Sequence, residues 1–174
     1  MLLRRADFGP TFRSLPSPSG SGDVYCRALD ESDLTVTGEA RSPTFVGGVE
    51  SSSSLSQVYE SLADSDASWR RGTSRAGEKC VRAQFGALFA AQGGRLESFR
   101  RLAFPVLTER TVAYRFTVAS QEGLRLYLDV AVLKQSRAHV AVLLASGLTP
   151  MSRDEEVRLA RTVARRMKTA MRGA

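Results

Sequence analysis

The chain predicts an α+β fold: an antiparallel β-sheet covered on one face by helices, an α/β sandwich that ends in an amphipathic C-terminal helix. Three observations carry this. Val112, Tyr114, Phe116 and Val118 lie two apart, as do Leu124, Leu126, Leu128, Val130 and Val132. Alternate residues of a strand share a face, so each set supplies one apolar sheet face. Gln121-Glu122-Gly123 separates these two strands, and Gln135-Ser136-Arg137 separates the second from a third over 138–145. Links this short favour hairpins over crossovers. After Pro150, Ser152 is followed three residues later by Glu155, a capping-box pattern, and Asp154, Glu155 and Glu156 suit the positive end of a helix dipole.

A length of 174 residues is read as one domain, 1–174, with 1–23 partly irregular. A hydrophobic fraction of 43% is ordinary for a globular protein, and the longest apolar run is too short to span a membrane. Arg outnumbers Lys 22 to 3, an imbalance attributed to genome base composition. The net charge of +7 divides unevenly, with −2 on residues 1–75 and +9 on 76–174. A basic half raises an anionic partner (nucleic acid, lipid headgroups or cell-wall polymer) against the plainer reading of a solvated Arg-rich surface.

In chain order, 2–7 reads as a short helix ended by Gly9-Pro10, since proline pushes its predecessor out of helical geometry. Pro, Ser and Gly make 15–23 a surface loop. Short strands are expected at 24–29, carrying Cys26, and at 34–40. Phe45-Val46-Gly47-Gly48 turns the chain into 49–58, where four consecutive serines between Val49 and Leu55 suggest a solvent-facing or edge strand. Tyr59, Leu62, Asp66 and Trp69 fall at helical spacing, and Asp64-Ser65-Asp66 offers a fresh N-cap. A second helix is expected over 76–91, with Cys80, Val81, Gln84, Leu88 and Ala91 in one stripe and Phe85 and Phe89 beside it. Gln92-Gly93-Gly94 ends it, and 96–104 begins the main sheet. In the last helix Val157, Ala160, Ala164, Met167 and Met171 form the buried stripe. Arg158, Arg161, Arg165, Lys168 and Arg172 form a neighbouring basic stripe, a candidate anion surface.

His139 is the only histidine, set in a strand without a nucleophile elbow or an orienting acid, so a structural or surface role is expected. The acidic residues show no spacing for glycosidase or metal chemistry, and Asp30, Glu31 and Asp33 read as an exposed loop. The glycines lack the Lys-Ser/Thr of a phosphate loop and the dinucleotide fingerprint. No enzyme activity, cofactor or metal is therefore expected. Cys26 and Cys80, the only cysteines, are either two inert thiols or one disulfide, and the disulfide is expected; it would place the chain outside a reducing cytosol. Met-Leu-Leu-Arg-Arg opens without a signal-peptide apolar region, so the chain is expected either to be cytosolic or to have been trimmed of its export segment. Tyr59, Trp69, Phe85 and Phe89 are candidates to line an apolar ligand cleft between helices and sheet, with ordinary core packing as the alternative.

Six stretches carry a resemblance: Leu2-Leu3-Arg4-Arg5-Ala6-Asp7-Phe8-Gly9; Cys26 after the Pro/Ser/Gly loop; Val49-Glu50-Ser51-Ser52-Ser53; Cys80; Phe104-Pro105; and the Arg-rich last helix. Together they resemble a family of secreted actinobacterial proteins related to the extracellular sensor domain of mycobacterial receptor Ser/Thr kinases and to small envelope lipoproteins. The resemblance implies an extracytoplasmic sandwich of the cell envelope, tethered natively by an N-terminal lipid or transmembrane segment, that senses a ligand or binds an envelope component. The kinase sensors carry two disulfides where this chain can form one, and no binding residue is carried over.

The expected function is thus a non-enzymatic extracytoplasmic domain that binds a small molecule, lipid or cell-wall component. The alternative is a cytosolic protein that binds an anionic partner through its basic C-terminal half. Nucleic acid is disfavoured as that partner, because no aromatic residue interleaves with the arginines of the last helix.

Overall fold

Short links and twofold periodicity produce a meander. The computed structural model describes residues 1–17 and 26–172. Strands β1 (Arg13–Leu15), β2 (Val36–Arg41), β3 (Thr44–Gly47) and β4 (Glu50–Tyr59) precede helices α1 (Leu62–Thr73) and α2 (Arg75–Ala91). Strands β5 (Arg95–Leu102), β6 (Arg110–Ala119), β7 (Arg125–Gln135) and β8 (Ala138–Gly147) follow, and α3 (Arg153–Met171) comes last. They form one eight-stranded antiparallel sheet of order β1-β3-β4-β8-β7-β6-β5, with β2 pairing the later part of β4. The expected hairpins β6–β7 and β7–β8 are both present.

The expected α+β class and C-terminal helix are there, and the helices divide between the two faces of the sheet. On one face Leu133, Val140, Val142 and Leu144 meet Leu159, Val163 and Met167 of α3. On the other, Val112, Tyr114 and Phe116 pack with Trp69 of α1, and Val81 and Phe85 of α2 join them. Where the sequence predicted one covered face, the structure covers both. The reason lies in the strands: Val132 and Leu133, and Val142 and Leu143, are adjacent apolar residues on opposite faces, and a strand apolar on both sides needs cover on both.

Several elements differ from expectation in detail. Tyr59 ends β4 rather than opening a helix; α1 starts after Ser61, whose hydroxyl accepts from Asp64 N at 3.0 Å. The serine strand is interior, paired with β8 on one edge and with β2 and β3 on the other. Ser52, Ser54 and Ser56 are buried. Two of the three hydroxyls have partners: Leu3 N donates to Ser54 Oγ at 2.9 Å, and Ser56 Oγ donates to the Ala40 carbonyl at 3.4 Å, whereas Ser52 Oγ has none among the described residues. The helix expected at 2–7 is a 3-10 turn, Arg5–Asp7, and Cys26 precedes another, Arg27–Leu29, where a strand was expected. Most of the loop expected over 15–23, and the start of the strand expected at 24–29, lie outside the described residues.

Ser152 caps helix α3 as expected, with Glu155 N donating to its Oγ at 3.3 Å, but the reciprocal half of the expected capping box is replaced by Arg158, which binds the Glu155 carboxylate. Its buried stripe is Glu156, Leu159, Ala160, Val163, Ala164 and Met167, with Val157 and Met171 only half-buried. A buried ion cluster sets this rotation. Arg115 reaches Asp129 through two 2.6 Å bonds and Glu156 at 2.8 Å, and Arg153 holds the other Glu156 oxygen at 3.0 Å. Burial, then the neighbouring Asp129, pushes the Glu156 carboxyl up to about 7.

Candidate functional site

The α1–α2 layer meets the sheet imperfectly, and the gap is a cavity of about 320 Å³. Its floor comes from cross-strand rows. Leu55, Ala141, Val132 and Val112 make one row, and Leu143, Val130 and Tyr114 contribute to the next. Trp69 and Gly72 of α1 and Val81 and Phe85 of α2 form the roof. Phe85 lies 4.4 Å from Phe116, centroid to centroid.

The roof is held by its joints. Ser74 closes α1 by donating to the Arg71 carbonyl at 2.8 Å, and opens α2 by accepting from Gly77 N at 3.0 Å. Gly77 is required there, since a Cβ would stand 2.0 Å from the Arg71 carbonyl oxygen. Arg71 also grips Asp33 with two 2.6 Å bonds, which holds the Asp33 carboxyl below the usual carboxylate range. The disulfide Cys26–Cys80 ties the segment before the second 3-10 turn to α2, with Cα atoms 6.2 Å apart.

Polar groups at the cavity bond to the protein itself. Tyr114 Oη donates to Glu78 at 2.8 Å, Thr73 Oγ1 donates to the Trp69 carbonyl at 2.7 Å, and Ser68 Oγ lies 2.7 Å from Tyr59 Oη. His139 lines the cavity and is 8% exposed. Its Nε2 is 3.0 Å from Ser65 Oγ, a fully buried hydroxyl that also lies 3.1 Å from the Ser136 carbonyl. Burial, aided by Lys134, lowers the imidazole to about 4, so the ring is neutral at physiological pH. The site is an apolar, uncharged chamber whose polar atoms hold its shape.

Of the residues named from sequence, the structure brings Trp69 and Phe85 onto one wall. Tyr59 is fully buried outside the lining and packs behind it, 4.9 Å from the His139 ring and hydrogen-bonded to Ser68. Phe89 lines an adjoining cavity instead. Sequence reasoning missed His139, Tyr114 and Phe116 as lining, although the alternation of 112–118 already put the latter two on one face. The five candidate anion residues, Arg158, Arg161, Arg165, Lys168 and Arg172, are exposed on α3, the layer across the sheet from the cavity. Arg158 is taken up by Glu155 at 2.6 Å, whereas Arg161, Arg165, Lys168 and Arg172 form no ion pair among the described residues.

No protein-family model and no curated protein matches the chain. Among solved structures it is similar to one described as a putative uncharacterized protein (Rv0999 ortholog) from Mycobacterium smegmatis, at 15% identity and a TM-score of 0.47, covering 92% of each chain.

Proposed function

We propose that this protein is a non-enzymatic binding module that takes a small, largely apolar molecule between α1–α2 and the sheet, and that it works outside the reducing cytosol. The cavity carries the reading. Its volume of about 320 Å³ falls within the range of small-molecule sites, and aromatic and aliphatic side chains line it. Lining hydroxyls already engaged within the protein leave little for a polar ligand to recognise. The Cys26–Cys80 bridge supports an oxidising compartment, in keeping with the sequence's resemblance to secreted envelope and sensor domains.

Titration with the neutral dye N-phenyl-1-naphthylamine tests the site, because Trp69 is the only tryptophan and lines the cavity. The dye is expected to quench Trp69 and to bind at least tenfold more weakly to Ala141→Phe, which fills the floor. Absent binding, or binding indifferent to Ala141→Phe, refutes the site. For the compartment, protein prepared without reductant should resist alkylation until reduced and then gain two adducts; immediate double alkylation contradicts export.

The exposed row Arg161, Arg165, Lys168 and Arg172 favours a second reading, an anionic partner at α3. Binding to heparin that weakens steeply with salt and is lost in Arg161→Glu/Arg165→Glu would support it. Binding unchanged by that double substitution would exclude α3 as the surface.

A further inference from the structure

We infer that the ligand of this layer is a single-chain amphiphile, with one long unbranched apolar tail lying along the sheet and a polar head left in solvent; the inference rests on the binding reading above. A second cavity, of about 280 Å³, adjoins the first on the same sheet face. The two share a cross-strand row. Ser51, Ala145, Leu128 and Phe116 are register neighbours; the first three line the second cavity, and Phe116 lines the first. The next row outward, Val49, Gly147, Leu126 and Val118, lines the second cavity as well. Above the sheet the same succession holds: Phe85 lines the first cavity, and Phe89, one helical turn along α2, lines the second, with ring centroids 5.9 Å apart.

The cavities therefore lie in line along β8, from His139 to Gly147. Eight residue steps at about 3.4 Å each give roughly 27 Å. A compact ring system would fill one chamber and leave the other empty, whereas a narrow apolar chain that passes the Phe85–Phe116 contact reaches both. The two ends differ. Trp69 and His139 at the inner end are 9% and 8% exposed, whereas Val49 and Leu126 at the outer end are 65% and 49% exposed. Large apolar side chains left in water at the rim of the second cavity mark where a tail adds contact. The tail thus runs with its methyl end toward Trp69, and the head emerges beside Val49 and Leu126.

Saturated fatty acids of 8 to 18 carbons, each kept below its micelle concentration, are the probe, followed by Trp69 fluorescence and calorimetry on the disulfide-intact chain. Affinity should climb with tail length, by up to about fourfold per newly buried methylene, until both chambers are filled. Ser51→Phe, and independently Ala145→Phe, should abolish the gain for the longer tails while leaving naphthylamine-dye binding within twofold. Two variants, each checked by its melting curve, keep the test intact if one misfolds. Dye binding with no dependence on tail length, or a length gain that survives both substitutions, overturns the linear-tail inference and leaves the binding reading standing. Failure of dye and fatty acids alike overturns both.

Discussion

Opening the Cys26–Cys80 bridge is predicted to destabilise the protein by about 4 kcal/mol and to loosen the roof of the cavity before the sheet. The bridge spans a sequence separation of 54. Releasing a loop of that length returns about 14 cal/mol/K of chain entropy to the unfolded state, about 4 kcal/mol at 25 °C. At roughly 2–4 °C per kcal/mol for a domain of this size, the melting temperature should fall by about 8–16 °C. The effect should be local first, because α2 has one buried residue, Gly77, and otherwise meets the sheet through half-buried side chains. The assay is calorimetry of the wild type with and without a phosphine reductant, alongside Cys26→Ser/Cys80→Ser, with amide exchange followed in Arg27–Leu29 and α2. A fall of less than about 3 °C, or exchange that rises as much in β6–β8 as in α2, would refute the reasoning.

The other predictions concern the buried polar groups and the α1–α2 joint. Arg115→Met leaves Asp129 and Glu156 buried without their shared cation and should cost about 3–5 kcal/mol in urea unfolding; replacing all three by apolar residues should recover most of it. Glu156 and His139 should bend the pH profile in opposite senses. The Glu156 carboxyl is raised from 4.5 to about 7 in the folded chain, so its contribution is full below 4.5 and is lost as pH rises to 7. The His139 imidazole is lowered from 6.5 to about 4, so its contribution is full above 6.5 and is lost as pH falls to 4. Stability of Glu156→Gln should therefore rise with pH between 4 and 6.5, and that of His139→Gln should fall between 4.5 and 7; equal slopes in the two variants would contradict both assignments. Gly77→Ala forces a Cβ against the Arg71 carbonyl and should lower the urea midpoint by an equivalent of about 2 kcal/mol, with the slope unchanged.

The sheet was legible because its signals are local. The alternation at 112–118 and 124–132 and the short links that follow each run set these strands and their pairing before any tertiary contact is known. The α3 cap was legible for the same reason. What escaped depends on partners distant in sequence. Ser54 and Ser56 look like surface residues until Leu3 and Ala40 supply their hydrogen bonds. Glu156 looks like a solvated charge until Arg115, 41 positions away, draws it inward and rotates the helix. The site divides along the same line. Trp69 and Phe85 could be named as aromatics between helix and sheet, but assigning Phe89 to a second chamber needed the angle at which α2 crosses the strands. His139 was read by its lack of catalytic company, while its partner Ser65 lies 74 positions back.

Methyl-resolved NMR with N-phenyl-1-naphthylamine, using assigned Val and Leu methyls, tests the central claim most directly. The account predicts saturable shifts confined to Leu55, Val81, Val112, Val130, Val132 and Leu143, together with the Trp69 indole, and silence from Val163 and Leu159 of α3. Shifts scattered over the surface, or gathered at α3 with the cavity methyls unmoved, would contradict it.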